Sequence, residues 1–364
     1  MKTSTDMPVL SSKERSTEVT DESHTGIPTC RSVGTEVTVV NFGDMTFTGE
    51  ARVVLVANRK GGVGKSSLVA AAANAVASGG RGGGHRVLVI DGDPQGTITK
   101  SDLGARDNDG GESLGMSLLY GRHDLEPLIE VKPNLDIVAG GSKLAKAIAG
   151  AGAMTSSELV TNFQTALERL CTARGYDFVF IDSAPGEMPL LKTFMSTANY
   201  LVIPTMSDGG SLDAVEDVAD SFKEARQRGA SIALLGVVLF CADPNAHVRN
   251  ADVFDQIEEL LGASGVAPFR TLIREAKAAA IDCRNLGMTP AELVNVAKSA
   301  RKDTFKALGA GEKPDRTLWS SNPAKLAADY QSLVYEIVRR IAQYESAATD
   351  YATAAAAPVA AAGR

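Results

Sequence analysis

Val53-Val54-Leu55-Val56-Ala57-Asn58-Arg59-Lys60-Gly61-Gly62-Val63-Gly64-Lys65-Ser66-Ser67 decides the fold. Its apolar, largely β-branched opening predicts a buried strand, its glycines a turn, and the Ala-rich run over 66–78 a helix. Gly61, Gly62 and Gly64 let backbone N–H groups converge on phosphate oxygens, where a Cβ would intrude. The helix that follows adds its positive end. In such a loop Lys65 reaches the β- and γ-phosphates, the Ser66 hydroxyl binds Mg2+, and Val63 and Ser67 complete the cradle.

Two features depart from an ordinary phosphate loop. Arg59 stands where a glycine is usual, and a second lysine, Lys60, opens the loop. Lys60 is either a solvated charge or a group that reaches a neighbouring subunit's nucleotide and stabilises charge there in trans.

Working outward, apolar runs recur at 87–90, 135–138, 178–181, 201–203 and 232–240, with helical stretches between them at 156–173, 212–228 and 253–261. Buried strands alternating with helices predict an α/β fold, a mostly parallel, twisted sheet covered by helices on both faces; the phosphate loop makes the expected fold that of a P-loop NTPase. Ligands of open α/β sheets collect at the carboxyl ends of the strands. Asp91-Gly92-Asp93-Pro94-Gln95-Gly96 ends one run and Asp182 another. A carboxylate at Asp182 can hold Mg2+ directly or through water, because Mg2+ takes few protein ligands. Taken alone, Asp-Gly-Asp-Pro is also an ordinary turn.

The chain has 364 residues, 44% of them hydrophobic, enough to bury a full core and too apolar for a wholly disordered chain. No apolar run spans a membrane and the first residues lack a signal-peptide core, so a cytoplasmic protein is expected. Cys30, Cys171, Cys241 and Cys283 are far apart with no CxxC, which suggests neither a disulfide framework nor a zinc site.

The net charge of −7 hides an asymmetry. Residues 1–50 hold four Lys/Arg against eight Asp/Glu, and read as a polar, flexible arm with a short strand pair over 37–47. Residues 264–318 hold ten Lys/Arg against six Asp/Glu, either a solvated helical face or a surface for an anionic polymer. The glycine run 79–84 breaks the chain after the first helix. Over 322–344, Leu326, Tyr330, Leu333, Ile337, Ile341 and Tyr344 share one helical stripe, which fits a helix docked on the sheet. The Ala-rich residues 346–364 read as a disordered tail.

Lys60-Gly61-Gly62-Val63-Gly64-Lys65-Ser66 resembles the deviant Walker A motif of the ParA/MinD family of dimerising ATPases, with Lys60 at that family's signature lysine. Asp91-Gly92-Asp93-Pro94-Gln95-Gly96 resembles the Asp-x-Asp-Pro-Gln-Gly motif of its ParA branch, and Asp182 its Walker B aspartate. Asn134–Val138 with Gly141–Ala145, Tyr200–Thr205 and Thr271–Arg274 extend the likeness across 51–345, the expected ATPase domain. The resemblance implies ATP and Mg2+ as cofactors. It implies Lys60, Lys65, Asp93 and Asp91 as catalytic residues, Asp93 orienting the attacking water, and Ser66, Asp182 and Asp91 around the metal.

A ParA-type cycle implies a homodimer closed by ATP, non-specific DNA binding on the nucleoid, and hydrolysis triggered by a ParB-like adaptor. The sequence contributes Arg270, Arg274, Lys277, Arg284, Lys298, Arg301, Lys302 and Lys306 as candidate DNA contacts. A MinD-like membrane cycle would want a basic amphipathic end, whereas the chain closes on Pro358-Val359-Ala360-Ala361-Ala362-Gly363-Arg364, so no membrane partner is expected. A protein-cargo positioning ATPase, or a different ATP-dependent enzyme on the same scaffold, would also fit these motifs. About 50 polar residues before the first strand leave no room for the helix-turn-helix of the longer ParA proteins.

Overall fold

Arg52–Val56 forms β1, buried along its whole length, and the helix α1 (Lys65–Ser78) begins where the glycine loop ends. The computed structural model describes residues 50–79, 84–106, 109–150, 152, 154–262, 264–313, 318–320 and 322–356; the expected strand pair over 37–47 lies outside them. The remaining strands are β2 (Val87–Gly92), β3 (Leu128–Lys132), β4 (Leu135–Val138), β5 (Phe178–Ser183), β6 (Tyr200–Thr205) and β7 (Ala233–Leu239). They form one sheet in the order β3-β4-β2-β5-β1-β6-β7. Only β3 runs antiparallel, paired with β4 at an edge. Its residues are half-buried or exposed, unlike the fully buried central strands, so no continuous apolar run marked it.

Helices cover both faces. One face carries α2 (Glu112–Leu119), α3 (Ser142–Gly150), α4 (Ser156–Arg174), α5 (Met188–Thr197), α6 (Gly209–Gln227) and α7 (His247–Leu261). The other carries α1, α8 (Lys277–Leu286), α9 (Pro290–Gly309) and α10 (Ala324–Ala356). A π-helical turn over Ile98–Asp102 follows β2. Capping explains several starts: Thr155 and Glu158 form a reciprocal capping box on α4, and Thr289 with Glu292 does so on α9.

The stripe expected over 322–344 is the buried face of α10. Leu333, Ile337 and Ile341 are fully covered, each contributing roughly 1.5–3 kcal/mol by burial, while Tyr344 is exposed. The expected boundary at 345 falls inside this helix, which continues to Ala356 because alanine is the best helix former. Arg52 of β1 binds Glu345 of α10 through both carboxylate oxygens, tying that helix to the start of the sheet.

Candidate nucleotide site

The site is set by strand register. On adjacent parallel strands, Asp182 of β5 is the partner of Val56 on one side and of Asp91 on the other. The last residue of β1 and two acidic strand ends therefore meet at the carboxyl edge of the sheet, where the phosphate loop departs. Asn58 anchors that loop, donating from Nδ2 to the Pro204 carbonyl of β6 at 2.8 Å and accepting the Lys60 N–H at 2.8 Å. Gly62 (φ 78°) and Gly64 (φ 91°) are left-handed, and a Cβ on Gly64 would lie 2.3 Å from the Phe240 ring.

Lys65 is buried and donates from Nζ to the Lys60 carbonyl at 2.8 Å, folding back across its own loop. Burial lowers its pKa, opposed by Asp182 and Asp93. Lys60 is ion-paired with Asp208, the N-cap of α6, and Arg59 with Asp217 of the same helix at 2.8 Å. Both cations at the mouth of the loop are thus docked on α6.

The two strand-end aspartates differ. Asp91 is held on both oxygens: Oδ1 accepts the Asp93 N–H at 3.1 Å, while Oδ2 accepts the Thr99 N–H at 3.1 Å and the Thr99 hydroxyl at 2.5 Å. Burial pushes its carboxyl up to about 6. Asp182 is fully buried and neither oxygen has a hydrogen-bond partner of good geometry. Burial, then the nearby Asp91 charge, raise its pKa well above the carboxylate range, tempered by the Ser66 hydroxyl and Lys65. An orphaned carboxylate facing a serine hydroxyl fits a hydrated Mg2+, which supplies the missing positive charge. No group of three or more His, Cys, Asp or Glu side chains suited to a metal occurs among the described residues. Asp93 is half-buried at the mouth and accepts the Gln95 N–H at 2.8 Å.

The candidate DNA residues separate. Arg274 grips Asp329 of α10 with Nε at 2.6 Å and Nη2 at 2.7 Å, which commits its fork to the fold. Lys277 pairs with Glu275 at 2.9 Å. Arg270, Arg284, Lys298, Arg301, Lys302 and Lys306 are exposed, the last four along α9. Sequence reasoning missed Asn58, Thr99, Asp208 and Phe240, whose roles come from contacts 2 to 176 positions away. Asn58 and Asp208 carry the only local signal, a polar residue at a strand end and at a helix start.

Residues 51–233, half of the chain, match the AAA_31 family, an AAA domain. The chain is 30% identical over 198 residues to the chromosome-partitioning ATPase Soj of Thermus thermophilus, covering 53% of this chain and 71% of that protein. The chain belongs to the ParA-type ATPase family. As a ParA-type ATPase it cleaves ATP to ADP and phosphate. It is also 27% identical over 194 residues to the chromosome partitioning protein ParA of Caulobacter vibrioides, covering 53% of this chain and 70% of that one. The fold is shared with an ATP complex of a Cyanothece McdA variant, with a TM-score of 0.58 and 16% identity over 80% of this chain and 97% of that chain. Among the described residues of this ParA-type ATPase, no helix is long and apolar enough to cross a membrane.

Proposed function

We propose that this ATPase is a DNA-partition ATPase: it closes into a homodimer on ATP, holds DNA without sequence preference on the nucleoid, and lets go when a ParB-like adaptor stimulates hydrolysis. The reading takes residues 51–345 as the ATPase domain and the cell interior as its place of work. The observation that carries it is Lys60, a second lysine in the phosphate loop, ion-paired at the mouth of that loop with Asp208.

In this reading the loop N–H groups from Gly61 to Ser67 receive the phosphates. Lys65 exchanges its bond to the Lys60 carbonyl for the β- and γ-phosphates. Ser66 and Asp182 hold Mg2+, with Asp91 supporting that shell; when bound, the ion neutralises charge on the phosphate oxygens. Asp93, at the mouth, orients the attacking water. Asp91 fixes Asp93 through the Asp93 N–H, and Thr99 fixes Asp91. Lys60 leaves Asp208 and crosses to the partner's phosphates, where a cation stabilises transition-state charge. The exposed cations of α8 and α9 meet the DNA backbone, and counterion release makes that contact sensitive to salt.

The experiment is duplex binding by the purified protein with ADP and with ATP, across a salt series, alongside Lys60→Ala. Binding that needs ATP, weakens with salt and is reduced in the variant supports the reading. Absence of binding in every nucleotide state overturns the DNA part and leaves the ATPase standing.

A further inference from the structure

A small pocket of about 30 Å³ lies between the phosphate-loop helix and the basic helix α8, lined by Ser67, Asp102, Cys283 and Tyr330 among others. Asp102 ends the π-turn, is 5% exposed, and leaves its Oδ2 without a hydrogen-bond partner. A buried carboxylate in that state is unfavourable until a donor or a cation reaches it. Arg284 follows Cys283, which lines the same pocket as Asp102; it forms no ion pair with Asp102 and is exposed, and its charge tempers the rise in the Asp102 pKa.

The other end of the same turn belongs to the nucleotide site. Thr99, one residue into the π-turn, gives both its N–H and its hydroxyl to Asp91. The four residues from Thr99 to Asp102 thus join the carboxylate beside the candidate hydrolysis centre to a buried carboxylate beside α8. Beyond Asp102 the backbone is pressed against that helix. Gly104 (φ 63°) and Gly287 (φ 61°), the C-cap of α8, are both left-handed, and a Cβ on Gly287 would lie 2.5 Å from the Gly104 Cα. The segment that follows the turn therefore packs backbone to backbone against the end of α8.

We propose that Asp102 competes with DNA phosphates for Arg284, and that the π-turn, joined to the nucleotide site through Thr99 and Asp91, sets the winner according to the nucleotide in the phosphate loop. With ATP bound, Arg284 stays outward on the basic face. After hydrolysis, the turn brings Asp102 to Arg284 and withdraws that cation from the DNA. This rests on the DNA-binding reading above. By reciprocity, DNA that keeps Arg284 outward also favours the ATP-bound state.

The test compares duplex affinity in the ATP and ADP states for the full-length wild type, Asp102→Asn and Arg284→Ala, with a random-sequence duplex as probe. Asp102→Asn keeps the shape and removes the competing charge, so the ADP form should hold DNA and the ATP/ADP affinity ratio should shrink roughly fivefold or more. Arg284→Ala should weaken the ATP form and reduce the salt slope by about 1. An Asp102→Asn ratio equal to that of wild type overturns the proposal while the DNA reading survives. A wild type that binds no DNA in either state overturns both. If Asp102→Asn fails to fold, Gly287→Ala serves instead: its Cβ pries α8 from the turn, and a ratio unchanged from wild type is again contrary.

Discussion

Lys60 and Asp208 are ion-paired within one chain, so the lysine at the mouth of the phosphate loop is held by the cap of α6. A lysine that serves a second subunit must first give up this partner. Asp208→Asn retains a good N-cap and removes the charge. Exposed pairs of this kind contribute about 0.2–1 kcal/mol, so the variant should tighten ATP-dependent self-association by up to roughly fivefold. Sedimentation at a series of protein concentrations measures this; weaker association than wild type would contradict it.

Gly64→Ala should be severe. The residue is left-handed at φ 91°, and its Cβ would overlap the Phe240 ring at 2.3 Å. Loop strain and overpacking together cost about 2–4 kcal/mol. Thermal melting should show that loss, and calorimetric titration should show ATP binding gone. Full ATP affinity in a stable variant would exclude the packing described for the loop.

Thr99→Val removes the hydroxyl that holds Asp91 at 2.5 Å but preserves the shape of the side chain. One charge-assisted hydrogen bond of roughly 1.5 kcal/mol predicts about a tenfold fall in kcat with little change in ATP affinity. Thr99→Ser should restore most of the rate. Equal losses in kcat and affinity, without rescue by serine, would point to general disruption of the turn.

Asp102 predicts a pH dependence of stability. Burial raises its pKa from 3.8 to about 6, so the folded state holds this proton more tightly than the unfolded chain does. Stability from this group is full below about pH 4, falls as pH rises to about 6, and stays low above, a loss on the order of 3 kcal/mol. Asp91, also near 6, acts with the same sign and remains in the variant. Asp102→Asn, which does not titrate, should therefore gain in melting temperature over wild type at about pH 7.5 more than at about pH 5. The same difference at both values would contradict the assignment.

The central strands and the phosphate loop were legible because local chemistry dictates them. An apolar β-branched run followed by Gly61-Gly62-Val63-Gly64-Lys65 has few other conformations open to it, and Asp91 and Asp182 close equally plain strands. That these two aspartates lie side by side follows from β5 inserting between β2 and β1, a long-range pairing that no local pattern carries. The grip of Arg274 on Asp329 was invisible for the same reason, since 55 positions separate them. Helix α10 runs past 345 because alanine favours helix.

Subunit complementation reports most directly on whether Lys60 works across an ATP-closed dimer. Lys60→Ala retains Lys65 and should bind ATP; Lys65→Ala loses its own nucleotide but can still lend Lys60 to a partner. Each variant alone should be inactive, and an equimolar mixture should recover part of the wild-type ATPase rate, because one site per mixed dimer is complete. A mixture as inactive as its components, while mixed dimers form, would place Lys60 in its own subunit's site and contradict the trans arrangement.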